Sequence, residues 1–227
     1  MAAQQKVDNL KAFQQKLFIT GTKKRKQFGL LERPSVPPSV PQVSFKLYVC
    51  GSSGSGKSYF VQRLAGTEGK SRNTETLGIE VSHIYWPMKI GNRVMLFRLE
   101  LWDAGDASSK RFSHIKPACG EAIDGMIICF SVTSLEQWNE VPQLVSNASQ
   151  SSEKAAVMVL ASRLDKPTEM VVSENEIRTF EANHDVPVLR LPPVSNDPMT
   201  IAPILNFICK QLWHRDQKLL SVSKEKG

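Results

Sequence analysis

Apolar residues along this chain come in short runs of two kinds. Phe45-Lys46-Leu47-Tyr48-Val49-Cys50, Ile79 to Trp86, Val94 to Trp102, Met126 to Phe130, Val157 to Ala161 and Val186 to Leu191 have the length and residue types of strands. Ser58 to Ala65, Leu135 to Ala148, Ser173 to Ala182 and Ile201 to Lys218 read as helices. Pro142 predicts an interruption in the second of these, and Pro203 sits in the first turn of the last. Ser173 with Glu176 three residues on forms a capping box. The short link from Pro87 to Arg93 predicts a hairpin, and a further helix is expected after Asp106. Strands alternating with helices predict an α/β fold: a doubly wound, mostly parallel, six-stranded sheet with helices on both faces and one antiparallel edge.

Two flanks stand outside that pattern. Residues 5–19 place Val7, Leu10, Phe13, Leu17 and Phe18 at helical spacing, and Pro34 to Pro41 form a stiff link. The chain thus divides into a basic extension (1–44), a domain (45–215) and a polar tail (216–227). The net charge of +7 follows this division: residues 1–44 hold eight Lys/Arg against two Asp/Glu, and 215–227 hold four against two. The stretch between is near neutral. Basic ends on a neutral body argue for a lipid- or partner-binding role of the ends more than for a nucleic-acid-binding domain, and the sharpest cluster, Lys23-Lys24-Arg25-Lys26, can meet acidic lipid headgroups, RNA or an acidic partner face. Cys50, Cys119, Cys129 and Cys209 are widely spaced and fit buried thiols of a reducing compartment. No signal peptide, membrane span or lipid-anchor motif is read in the chain, so a cytoplasmic protein is expected. His83, His114, His184 and His214 show no metal-ligand spacing.

Chemistry is concentrated where the first strand meets the first helix. Gly51-Ser52-Ser53-Gly54-Ser55-Gly56-Lys57-Ser58 is a complete G-x-x-x-x-G-K-[ST] phosphate loop. Its glycines let backbone N–H groups converge on an anion, and the helix start adds its positive end. Lys57 is expected on the β- and γ-phosphates and the Ser58 hydroxyl on Mg²⁺.

Three later positions separate the classes of nucleotide protein. Asp103, in Trp102-Asp103-Ala104-Gly105, ends a strand where an acid can hold Mg²⁺ through water, and Gly105 lets the chain pass close to a γ-phosphate. Asp165, in Ser162-Arg163-Leu164-Asp165, can accept hydrogens from the N1–H and 2-amino group of guanine, a donor pair adenine lacks. Thr76 can close on Mg²⁺ from a polar loop. A nucleotide kinase would need an acceptor site and a basic lid, and would leave Asp165 without a role.

With these residues the domain resembles the Ras superfamily of small GTPases, Rab-like in Thr76-Leu77-Gly78. It resembles more narrowly the atypical Rab-like small GTPases of the ciliogenesis and planar cell polarity effector complex. That likeness is carried by Phe28-Gly29-Leu30-Leu31-Glu32-Arg33-Pro34, Trp86-Pro87, the shortened Trp102-Asp103-Ala104-Gly105 and Gln211-Leu212-Trp213-His214. The resemblance implies GTP and GDP as ligands with Mg²⁺. It implies inturned, fuzzy and fritz proteins as partners, a place at the ciliary basal body, and a part in cilium assembly and protein targeting to cilia. The phosphate, base and metal residues it implies are Gly51 to Ser58, Thr76, Asp103, Gly105, Arg163 and Asp165.

Departures from the family pattern matter as much. Asp106 stands where the water-positioning glutamine is usual, and an aspartate there only accepts hydrogen bonds and repels the γ-phosphate. Ser53 replaces a glycine of typical members. Both predict slow hydrolysis, or a subunit that holds nucleotide without cycling. Ser162-Arg163 replace Asn-Lys, with Arg163 still able to cover the base through its stem. The short Ser162 is expected to lose a tie between base loop and phosphate loop, and the last base-contact segment falls within Pro192-Pro193-Val194-Ser195.

Overall fold

The computed structural model describes residues 40–66, 79–105, 123–151, 154–193 and 198–225. Thr76, Asp106 with the segment that follows it, Val194-Ser195 and the expected helix and basic cluster of the N-terminal extension lie outside the described residues.

Six strands form one sheet: β1 (Gln42–Cys50), β2 (Ile79–Ile90), β3 (Arg93–Ala104), β4 (Gly125–Ser131), β5 (Ala156–Ser162) and β6 (Val188–Arg190). Their order is β2-β3-β1-β4-β5-β6, parallel throughout except for the antiparallel β2–β3 pair at the edge. Helices α1 (Lys57–Ala65) and α4 (Ala202–Glu225) cover one face, and α2 (Leu135–Ser151) and α3 (Glu174–His184) the other. The expected architecture is therefore the one observed. β4 and β5 are buried along nearly their whole length, because helices cover both of their faces.

The first core joins Phe60 and Leu64 of α1 to Leu205, Ile208 and Leu212 of α4 across Leu47, Leu99 and Ile127 of the sheet. Trp86, only 1% exposed, donates from its indole N–H to Asn206 Oδ1 at 2.7 Å, locking the hairpin to α4. Phe97 stacks on Phe45 and meets the edge of Trp213. In the second core, Trp138 of α2 lies between Phe130 of β4 and Phe180 of α3, at 4.9 and 5.4 Å between ring centroids.

Several bounds differ from the sequence reading. The hairpin strands run on to a two-residue turn at Gly91-Asn92, and Pro87 is accommodated within β2, which lies at the sheet edge. α2 is not interrupted at Pro142. That residue is exposed, while Trp138, Val141, Val145 and Ala148 keep the helix seated on the sheet through the proline. α4 runs seven residues past the expected end at Lys218, to Glu225.

α4 is stapled to the pole of the sheet where the strands begin. Arg215 Nη1 donates to Asp124 Oδ1 at 2.7 Å and its Nε donates to the Lys154 carbonyl at 2.6 Å. Asp124 Oδ2 in turn accepts from the Lys46 N–H. The opposite pole, where parallel strands end, carries the loops. The capping box of α3 is formed as expected, with Ser173 and Glu176 bonding reciprocally. Ser173→Ala is expected to cost about 1 kcal/mol, read as a lower urea midpoint with an unchanged slope.

Candidate functional site

The loop after β1 is a cradle built by three backbone turns that only glycine makes cheaply. Gly51, Gly54 and Gly56 have φ of +135°, +76° and +88°. Gly51 also packs against β4: a Cβ there would lie 2.2 Å from the Cys129 carbonyl oxygen. Gly56 caps α1 with no side-chain bond of its own, so the first turn of the helix opens directly onto the loop. Lys57, 7% exposed, lays its ammonium across the loop, donating to the Gly51 carbonyl at 2.7 Å and the Ser52 carbonyl at 3.0 Å. That contact holds a positive charge against the start of the loop.

Asp103 is buried near the end of β3, in register with Val49 of β1 just before the loop. Gly105 is buried beside it, and Ser58 is half-buried in the first turn of α1. On β4, the other neighbour of β1, burial pushes the Cys129 thiol well above its ordinary pKa. Cys50 and Asp103 act in the same direction and Lys57 opposes them. A neutral Cys129 thus floors the loop, with the Lys57 and Asp103 charges near it.

The base-side residues sit on the turn after β5. Arg163 and Asp165 are both exposed, at the same pole as the loop. Arg163 adopts a left-handed φ of 60°, uncommon for a non-glycine. The Lys166 N–H donates back to its carbonyl at 3.2 Å. One expectation is corrected here. Ser162 does not lose the tie to the phosphate loop: its hydroxyl donates to the Ser55 carbonyl at 2.8 Å, in a buried contact. The reach of a longer side chain is unnecessary because the Ser162 side chain already lies close to Gly56, 3.0 Å from the position of an added Cβ. Ser162→Ala should leave the Ser55 carbonyl buried without this donor. A loss of about 1–2 kcal/mol in urea denaturation is expected.

Three further residues tie the site together without belonging to any sequence motif. Gln137 of α2 bridges β4 to the loop, accepting from the Ser131 N–H at 2.9 Å and donating to the Ser53 carbonyl at 3.0 Å. One turn on, Glu140 accepts from the Ser52 hydroxyl. Arg63 of α1, 3% exposed, donates to the carbonyls of Pro192 and Pro193. A signal for Arg63 did exist, since a cation stands in the apolar stripe of Phe60, Val61 and Leu64. Gln137 and Glu140 look like any exposed helix face.

The structure therefore brings the loop, Ser58, Asp103, Gly105, Arg163 and Asp165 to one pole of the sheet, while Thr76 falls outside the described residues. Residues 46–191, which carry all of these, match the family model described as the Ras family. The chain belongs to the Ras family, on its atypical Rab-like ciliogenesis-effector branch.

Similarity extends well beyond the domain. The Xenopus tropicalis protein named "Ciliogenesis and planar polarity effector 2" is 38% identical over 216 residues, covering 88% of this chain and 85% of the relative. The Homo sapiens protein of that name is 33% identical, with 86% and 82% covered. The Arabidopsis thaliana "Ras-related protein RABD2c" is 27% identical, with 64% and 69% covered. No helix among the described residues of this Ras-family protein is long and apolar enough to cross a membrane.

Proposed function

We propose that this protein is a Mg²⁺-dependent guanine-nucleotide-binding switch that acts within a ciliogenesis effector assembly. The observation that carries the reading is the single pole at which a glycine cradle, a lysine held over it, a buried strand-end acid and an Asp-bearing base turn converge. The names of the relatives support the ciliary role. Inturned, fuzzy and fritz proteins are the partners we infer, at the basal body, with transport of proteins into cilia as the outcome. Acidic lipid contact through Lys23 to Lys26 would assist.

In this reading the amides of Gly51 to Ser58 and the Lys57 ammonium hold the phosphates. Ser58 and Asp103 offer hard oxygen donors, a set that suits Mg²⁺ with waters completing its shell, and Thr76 would add a third. Bound Mg²⁺ supplies charge neutralisation between the phosphates. Asp165 selects guanine and Arg163 covers the ring with its stem. Neither Ser53 nor Asp106 assists water attack, so hydrolysis is slow.

The deciding measurement is the nucleotide content of purified protein, paired with calorimetry of GDP against ADP. GDP is expected to bind with at least about a hundredfold preference, set by the groups an adenine would leave unpaired. Equal binding of the two would refute Asp165 as the discriminator. Single-turnover phosphate release above roughly 1 per minute would overturn slow hydrolysis, given the far slower unassisted rates of such sites.

A second reading is a subunit that keeps nucleotide as a structural part. Ser53 favours it, because this exposed side chain stands on the loop while its carbonyl is pinned by Gln137. Partner affinity measured with GTP and with GDP separates the two: equal affinities support the non-cycling subunit.

A further inference from the structure

We propose that Arg63 is a positioning residue that sets base selectivity from within the phosphate-binding helix. The proposal rests on the reading of this pole as a guanine-nucleotide site, and deepens it.

Arg63 is a buried cation in an apolar stripe, between Phe60, Val61 and Leu64. A guanidinium in that place is tolerated only where its N–H groups find acceptors. Its two terminal nitrogens donate to consecutive backbone carbonyls, of Pro192 and Pro193, on the chain leaving β6. Why this segment needs an outside partner follows from its sequence. Leu191 makes the last link to β5, through its N–H to the Ala161 carbonyl at 3.0 Å. Pro192 and Pro193 have no N–H, so neither can extend the ladder. Arg63 takes over where the sheet stops, with its planar fork spanning both carbonyls.

The location gives the contact its consequence. β5 and β6 are parallel neighbours, so the Asp165 turn and the Pro192-Pro193 segment leave the sheet at the same pole. A base read by Asp165 on one side faces the chain leaving β6 on the other. Arg63 sets the position of that second wall relative to the phosphate loop, because it belongs to the helix that the loop starts. Tyr59, one turn earlier, lies with its ring centroid 5.9 Å from the guanidinium carbon. A lysine could keep the charge but neither the two-carbonyl fork nor the flat contact.

The test compares full-length wild type, R63Q and R63K by release of fluorescently labelled GDP and of labelled inosine diphosphate, which lacks the 2-amino group. R63Q is expected to release GDP about tenfold faster, as loss of charge-assisted contacts implies. The preference for GDP over inosine diphosphate should fall by about threefold or more, since a displaced wall tilts the base away from Asp165. R63K should fall between, and it carries the same comparison if R63Q does not fold. Unchanged release and preference would overturn the proposal. So would parallel acceleration of both nucleotides with the preference intact, which is the mark of a purely structural arginine. Failure of wild type to bind GDP would overturn the underlying reading first, and this proposal with it.

Discussion

Gly51→Ala is expected to destabilise the fold by about 3–5 kcal/mol, or to prevent its accumulation altogether. The added Cβ would lie 2.2 Å from the Cys129 carbonyl oxygen, and a φ of +135° adds backbone strain at the same residue. The obstacle is backbone of β4, paired to Leu160 of β5 and one residue past the last pairing with β1 at Ile128, so it cannot swing aside as a side-chain end would. Gly54→Ala is the matched control. It has φ +76° with nothing within 4 Å of its Cβ, and should cost only the left-handed penalty of about 1–2 kcal/mol. Urea denaturation of both variants without added nucleotide checks the order. Equal losses would show that the approach to Cys129 is not the governing contact.

The contrast between these glycines marks what the sequence could and could not reveal. The motif makes both visible as parts of a phosphate loop, and apolar runs with helical spacing make the strands and helices around it visible. Nothing in the spacing tells which glycine abuts a carbonyl of a strand some 80 residues later. Ser162 shows the same limit from the other side. Its short side chain reads as a lost tie, yet the distance to Ser55 is set by how closely β5 packs beside the loop, a property of the fold. Pro142 reads as a helix breaker on propensity alone, while the packing of Trp138 and Val141 on the sheet carries the helix through it. Arg63 could be noticed as a misplaced cation, but its acceptors lie about 130 residues away and carry no side-chain signature.

Lys57→Ala should weaken GDP binding by about a hundredfold or more, the cost of removing a buried charge from a charged partner. The ammonium already lies over the loop through the Gly51 and Ser52 carbonyls, so little ordering remains when phosphate binds. The substitution could also loosen the loop itself. Melting temperatures without nucleotide separate the two effects: a shift of a few degrees beside a hundredfold affinity loss assigns the loss to binding. Binding within threefold of wild type would remove Lys57 from the phosphate site. If Lys57→Ala also leaves GTP-dependent partner capture and ciliary rescue intact, the switch reading falls with it.

Four of the ties that hold this pole together share an asymmetry. Lys57, Arg63, Gln137 and Ser162 all donate from side chains, and each is accepted by a main-chain carbonyl: Gly51 and Ser52, Pro192 and Pro193, Ser53, and Ser55. A main-chain acceptor survives any replacement of its own side chain. Drift at Ser53, Ser55, Pro192 or Pro193 therefore leaves the scaffold's wiring untouched, whereas a single change at a donor cuts it. Among relatives whose loops have diverged, the record of a shared site should be sought at the four donors rather than in the loops they grip.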